Sequence, residues 1–537
     1  MFKQRKPLFI ISAAIMALLF AACGGADKSN VTVPKDAAVV IHLNMPALSS
    51  KLSWSEIKAS AWFKELSADS RDSLAQQLLD DPKKSGIDTE AEMVFFLKRL
   101  PKGAYMALEG ILKDPAAFEA FNKQLSPEAT ASKVGDVTVM KTQAGVATYK
   151  DNRFIYIIDA PYVDAAKGLQ PSMDENGGYQ YNYQEPTRLS TDTLVQLASQ
   201  LYELKGDASL SSDNRFTSLL KEPGDLHLWM NAGSLYNGML NTMPIGNFKM
   251  LTEGNINAGT LHFDDGKITA SSRFYYNEEL GKLYETYKMK NLDADALSNL
   301  PTQDVVAAFA MNYPPEGLGA FIKAMGVDGI ANGFLNKFGY SIEEFIKANK
   351  GDLILAVSDF KAGAAPNVPG PNMMPGAPEA KVLFATSVND KPSFEKLILL
   401  AEQQLGGLKN MAPDVKYTLS DKWFVLGNDQ QHNEQFASGK GGNKPAFVSK
   451  ISGHPIGGYI NLKSILQTTT TMTKDSSAQS AMNTSANFWD DVVMYGGELK
   501  DKSMTGYFEI NLVDKNTNSL KQLNKYFEQL PRRPRGF

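Results

Sequence analysis

Apolar and polar residues alternate along much of this chain, and the alternation predicts strands. Residues 137–141, 146–150 and 153–158 read as a meander with short polar turns, and 261–270 as a hairpin turning at Asp265 and Gly266. Apolar spacings of three and four predict helices instead. One covers residues 54–66 and another 334–348; a third opens at Asp114 and Pro115, an acid that caps and a proline in the first turn. That third helix puts Phe118, Phe121 and Leu125 on one buried face. Helices and strands are interspersed and hairpins are prominent, which predicts an α+β protein with a mainly antiparallel sheet.

The pattern also recurs. Residues 33–44 resemble 300–312, each a proline-led turn into an apolar run that ends on asparagine. Residues 105–121 match 381–397 without a gap, pairing Asp114 with Asp390 and Phe118 with Phe394. Residues 223–235 match 455–465, and 259–277 match 497–511 more weakly. Four matches in one order predict two tandem related repeats, 31–292 and 293–537, each a mainly antiparallel sheet with packed helices. The asparagines that end the apolar runs (Asn44, Asn231, Asn312, Asn461) are expected to cap the helices that follow. Segments 168–187 and 361–379 have no counterpart in the other half; the second is a Pro/Gly-rich loop.

The N-terminus follows a different pattern. A basic start with Lys3, Arg5 and Lys6 precedes an apolar run over residues 8–20 and the small residues Ala21 and Ala22, the plan of an export signal. Cys23, the single cysteine of the 537 residues, comes directly after that cut site. The run Phe20-Ala21-Ala22-Cys23 resembles the lipobox of bacterial lipoproteins, with phenylalanine where leucine is usual. The resemblance implies residues 1–22 as a lipoprotein signal peptide, cleavage before Cys23, and lipid attachment at Cys23. A transmembrane helix needs about 20 apolar residues, more than this run supplies. Residues 23–30 read as a flexible tether whose one acid is Asp27, and the expected address is the outer membrane, facing the periplasm.

Composition narrows the partners. The net charge is −4, and loss of Lys3, Arg5 and Lys6 makes it −7, which gives no reason to expect nucleic acid. With Cys23 lipidated no disulfide forms, so buried apolar area must hold the fold. The expected partners are the membrane, through Cys23, and an envelope protein or glycan.

Chemistry-bearing motifs are missing. The five histidines, His42, His227, His262, His432 and His454, form no metal-ligand spacing, and His42, His227 and His262 lie in predicted strands as packed side chains. There is no nucleophile elbow, phosphate loop or dinucleotide fingerprint, so no cofactor and no catalytic residue is assigned. Ser55-x-x-Lys58, Ser218-x-x-Lys221 and Ser212-Asp213-Asn214 match the short motifs of penicillin-binding enzymes, but in the wrong order. Tyr179, Tyr181 and Tyr183 alternate, so in a strand they share one face, a candidate platform for sugar stacking. The basic tail over 530–537 is expected to be a solvated segment.

The box opening at Val33, with the lipobox and Gly86-Ile87-Asp88, resembles a Bacteroidetes lipoprotein family known as domain of unknown function 4836. That resemblance implies a location and no activity. The sequence therefore reads as an envelope-anchored, non-enzymatic lipoprotein that binds or scaffolds an envelope partner. A glycan- or peptide-acting hydrolase, a glycan binder, and capture of a small apolar ligand between the two halves are the alternatives.

Overall fold

A computed structural model describes residues 32–69, 81–142, 145–160, 171–173, 179–181, 187–236, 246–363, 376–404 and 415–530. They form two compact units that do not follow chain order. The first takes the described residues up to Tyr236, then Leu251–Phe263 and Leu520–Glu528; the second takes 246–250 and Asp264–Ser519.

The first unit is built on β1 (Val39–Leu43), β2 (Met93–Leu100), β3 (Gly103–Ile111), β4 (Ala131–Val134), β5 (Val137–Lys141), β6 (Val146–Lys150) and β7 (Arg153–Asp159), with β10 (Leu226–Asn231) and β11 (Ile256–Asp264). A short separate pair is formed by β8 (Pro171–Met173) and β9 (Tyr179–Tyr181). The main strands run β11-β10-β1-β2-β3-β7-β6-β5-β4, every neighbour antiparallel. The predicted meander is β5, β6 and β7.

Because side chains alternate across a strand, the sheet has two distinct faces. One carries Leu43, Met93 and Phe154 and packs against Leu48, Leu52, Ile57, Phe63 and Phe118. These come from α1 (Met45–Lys51), the residue after it, α2 (Trp54–Ala59), α3 (Ala61–Asp69) and α4 (Pro115–Leu125). The other face carries His42, Glu109, Thr148 and Ile155. It meets α5 (Thr191–Tyr202), where Tyr202 Oη lies 3.1 Å from Thr148 Oγ1. The last helix, α6 (Ser519–Gln529), contributes Leu520 to the first face.

In the second unit the strands are β12 (Lys267–Tyr275), β13 (Val305–Asn312), β14 (Asn349–Gly363), β15 (Gly376–Val388), β16 (Lys416–Leu419), β17 (Trp423–Gly427), β18 (Ile456–Ile460), β19 (Trp489–Lys500) and β20 (Ser503–Leu512). Their order is β12-β20-β19-β18-β13-β14-β15-β17-β16, again all antiparallel. Its core gathers Ala310, Ile354, Ala385, Val425, Phe436, Ile451 and Val493. The α+β class with a mainly antiparallel sheet thus holds in both units.

Three local expectations need correction. The helix over 54–66 is two helices, because Ser60 is extended (φ −66°, ψ 146°) and ends α2. The helix over 334–348 breaks at Gly339, which is left-handed (φ +68°); Ser341 then caps a new helix, Ile342–Ala348. Asn44, Asn231 and Asn461 do accept backbone N–H groups of the helices they precede. Asn312 does not: its Oδ1 accepts from Lys290 N and its Nδ2 donates to Asp352 Oδ1, and the next helix starts at Pro315.

Candidate functional site

β1 and β10 meet at Leu43 and Leu226, which face each other across the ladder. The chain leaving β1 is fastened there. Asn44 donates from its backbone N to Asp225 O and from Nδ2 to Gly224 O, each at 2.9 Å, while its Oδ1 caps α1. Asp225 is buried and accepts from Lys51 Nζ and from Phe263 N, both at 2.6 Å. Lys51 ends α1 and Phe263 lies on β11, so one carboxylate ties the helix to the two strands. These ties hold the helix layer over the strand ends without filling the space beneath it.

That space is a cavity of about 610 Å³. Leu43, Leu226 and Phe263 form its sheet side, and Leu48, Leu52, Ile57 and Trp62 its flank. Leu520, Leu523, Asn524 and Phe527 of α6 close it. On α6 the apolar residues recur at intervals of three and four, which makes one stripe. Three polar contacts seat the helix: Trp62 Nε1 donates to Asn524 Oδ1 (2.8 Å), Ala61 N to Glu528 Oε1 (2.7 Å), and Lys521 pairs with Glu56 (2.8 Å). Lys521 and the Ser53 cap together pull the Glu56 carboxyl down to about 2. Of the eleven lining side chains among the described residues only Asn524 is polar, and its carbonyl is already engaged by the Trp62 indole. Among the described residues, the lining contains no acid, base or nucleophile.

The opposite face of the same sheet buries two titratable clusters. Glu109 and Arg153 form an ion pair, and Glu109 Oε1 also accepts from Thr32 N at 3.0 Å. Burial pushes the Glu109 carboxyl up, against the opposing pull of the Arg153 guanidinium. His42 and His227 are cross-strand partners with their Nδ1 atoms 3.0 Å apart. His227 Nε2 lies 2.9 Å from the Glu222 carbonyl, which takes only a donor, so the neutral ring accepts at Nδ1 from His42 Nδ1–H. His42 Nε2 lies 3.3 Å from Glu92 Oε2, within ion-pair reach but not aligned as a hydrogen bond. Burial, and the charge of His42, hold the His227 pKa below its ordinary value.

The candidates from sequence are dispersed. Tyr179 and Tyr181 lie on β9, opposite Met173 and Pro171 of β8. Tyr183, Cys23 and residues 531–537 lie outside the described residues. Among the described residues, no group of three or more His, Cys, Asp or Glu side chains is placed to hold a metal, and no helix is long and apolar enough to cross a membrane. In the second unit, His454 contacts Glu498, whose other oxygen accepts from Thr505 at 3.2 Å; Glu498 also lines a smaller pocket of about 200 Å³ with Tyr284, Tyr287 and Lys288.

Sequence reasoning missed the cavity and the histidine pair. The stripe Leu520, Leu523 and Phe527 was visible as helical spacing, but its destination was not. The two histidines were visible as strand residues, 185 positions apart, and only the register joins them.

No family model matches this chain, and no curated protein matches it. Among solved structures, crystal forms III and IV of TP0453 are similar to it at 10% identity and a TM-score of 0.26, covering 49% and 48% of this chain and 90% and 86% of TP0453. Crystal form I gives 10% identity and a TM-score of 0.24 over 50% of this chain and 90% of TP0453. Likeness at this level transfers neither fold nor function.

Proposed function

We propose that this protein is a lipid-anchored binding protein of the bacterial envelope, held through Cys23 in the outer membrane and facing the periplasm, and that its first unit takes up an apolar ligand. The observation that carries the binding role is the cavity of about 610 Å³, in which ten of the eleven described lining side chains are apolar. Small-molecule sites are concave, mostly apolar and roughly 300–1,000 Å³ in volume. The cavity lies inside one compact unit, yet α6 brings to it residues from the second half of the sequence. A hydrolase is disfavoured there, because among the described residues the lining offers no carboxylate pair.

The reading of two tandem repeats has support beyond the sequence matches. The run β11-β10-β1-β2-β3-β7-β6 in the first unit has the same neighbours as β19-β18-β13-β14-β15-β17-β16 in the second. The aligned acids Asp114 and Asp390 both accept from backbone N–H groups of a following helix, and the aligned Phe118 and Phe394 are both buried.

Two measurements test the proposal. Leu523→Trp places an indole in the cavity, so binding of the dye 1-anilinonaphthalene-8-sulfonate weakens at least tenfold while the far-ultraviolet circular dichroism is unchanged. Equal binding by the variant, or none by the parent protein, removes the cavity as the site. For the anchor, Cys23→Ala moves the protein from the membrane fraction to the soluble fraction of broken cells. A variant that stays as firmly bound as the parent defeats the lipoprotein half of the proposal.

A further inference from the structure

Resting on the apolar-ligand reading above, we infer that the ligand is a single-chain amphiphile whose aliphatic chain fills the cavity while its polar head stays outside, unread by the protein. Polarity is the first ground. Trp62 Nε1–H and Asn524 Oδ1 satisfy one another, and among the described residues no charged side chain lines the space. A hydrogen-bonding group carried inside would lose water and gain little in return. What enters is therefore hydrocarbon.

Volume is the second ground. A methylene takes on the order of the ~30 Å³ that a water molecule occupies in the liquid. On that scale 610 Å³ matches roughly 20 such groups, the size of one long acyl chain. The exposure gradient along α6 gives the direction. Leu520 is 7% exposed and Phe527 53%, so the space is closed near the start of the helix and opens towards its end. The head belongs at the Phe527 end, where solvent already reaches the helix. Leucines supply most of the wall, and their rotamers adapt to a flexible chain more readily than a wall shaped for one rigid ring system would.

The experiment titrates the full chain carrying Cys23→Ala, so that neither detergent nor a protein-bound acyl group competes. Ligands are straight-chain carboxylates and alkyl trimethylammonium salts of matched length, below their micelle concentrations, with pyrene as a rigid comparison; displacement of the anilinonaphthalene dye is the readout. Affinity should rise about fourfold per added methylene, then level off at roughly 16 to 20 carbons as the volume is filled. The two headgroups should give the same curve within a few fold, and Leu523→Trp should move the plateau to shorter chains. A headgroup preference above tenfold, no dependence on length, or tighter binding of pyrene than of any chain overturns the inference while leaving apolar-ligand binding intact. Failure to bind the dye and every ligand removes the underlying reading instead.

Discussion

Arg153→Leu lowers the unfolding free energy by about 3–5 kcal/mol, measured by urea denaturation at neutral pH. The Glu109 side chain is 2% exposed, and its partners are the Arg153 guanidinium and the Thr32 N–H. Taking Arg153 away strands a carboxylate in the middle of a sheet face, which is the costly way to break a buried pair. It also removes the guanidinium from above the Tyr202 ring, 5.3 Å from its centroid. Adding Glu109→Leu to the same chain restores most of the loss, because two packed apolar side chains replace a buried pair at little net cost. Acid also helps the single variant. Burial already raises the Glu109 carboxyl, and without Arg153 it rises further. The folded state then takes up a proton before the unfolded chain does, and stability is gained as pH falls through the folded value. A loss below about 1 kcal/mol would place this pair with ordinary surface salt bridges.

The second large effect is on the other charged cluster and runs the opposite way with pH. His227 is held below the ordinary histidine pKa of 6.5, first by burial and then by His42. The groups that face it are His42 on β1, Glu92 just before β2, and Glu222 in the turn before β10; Glu92 and Glu222 oppose the shift. Above pH 6.5 the ring is neutral in both states and its contribution to stability is complete. Below it the unfolded chain binds the proton and the folded chain does not, so stability falls as pH falls, by at most ~1.4 kcal/mol per unit for one proton. The structural reason is local: a second proton at His227 Nδ1 would point at His42 Nδ1–H across 3.0 Å. Urea midpoints of the parent and of His227→Gln, taken from pH 7.5 to 5.0, separate this from the carboxylates. The parent should lose stability more steeply than the variant, and parallel curves would falsify the assignment.

Much of the local architecture was legible from sequence because it depends on near neighbours. The meander at 137–158 needs only alternation and polar turns, and the helix at Asp114 needs only an acid, a proline and an apolar spacing. Where local signals misled, a single backbone conformation was responsible. Ser60 and Gly339 each interrupt a periodic run without disturbing its apolar spacing, so the pattern continues while the helix does not. Asn312 has the setting of its three counterparts but finds Lys290 and Asp352 before any helix N–H.

The sequence by itself determined the class of fold, the internal matches between its halves and the expectation of an anchor at Cys23, since each is written in periodicity, similarity or a short local motif. Only the tertiary structure decided where the apolar surplus goes. Leu43 and Leu226 are 183 residues apart in the sequence, and Leu523 lies almost 300 beyond them, yet they surround one space. Strand register and the return of α6 to the first unit bring them together. Neither leaves a local trace, because hydrophobic burial is non-directional and rewards any partner that excludes water.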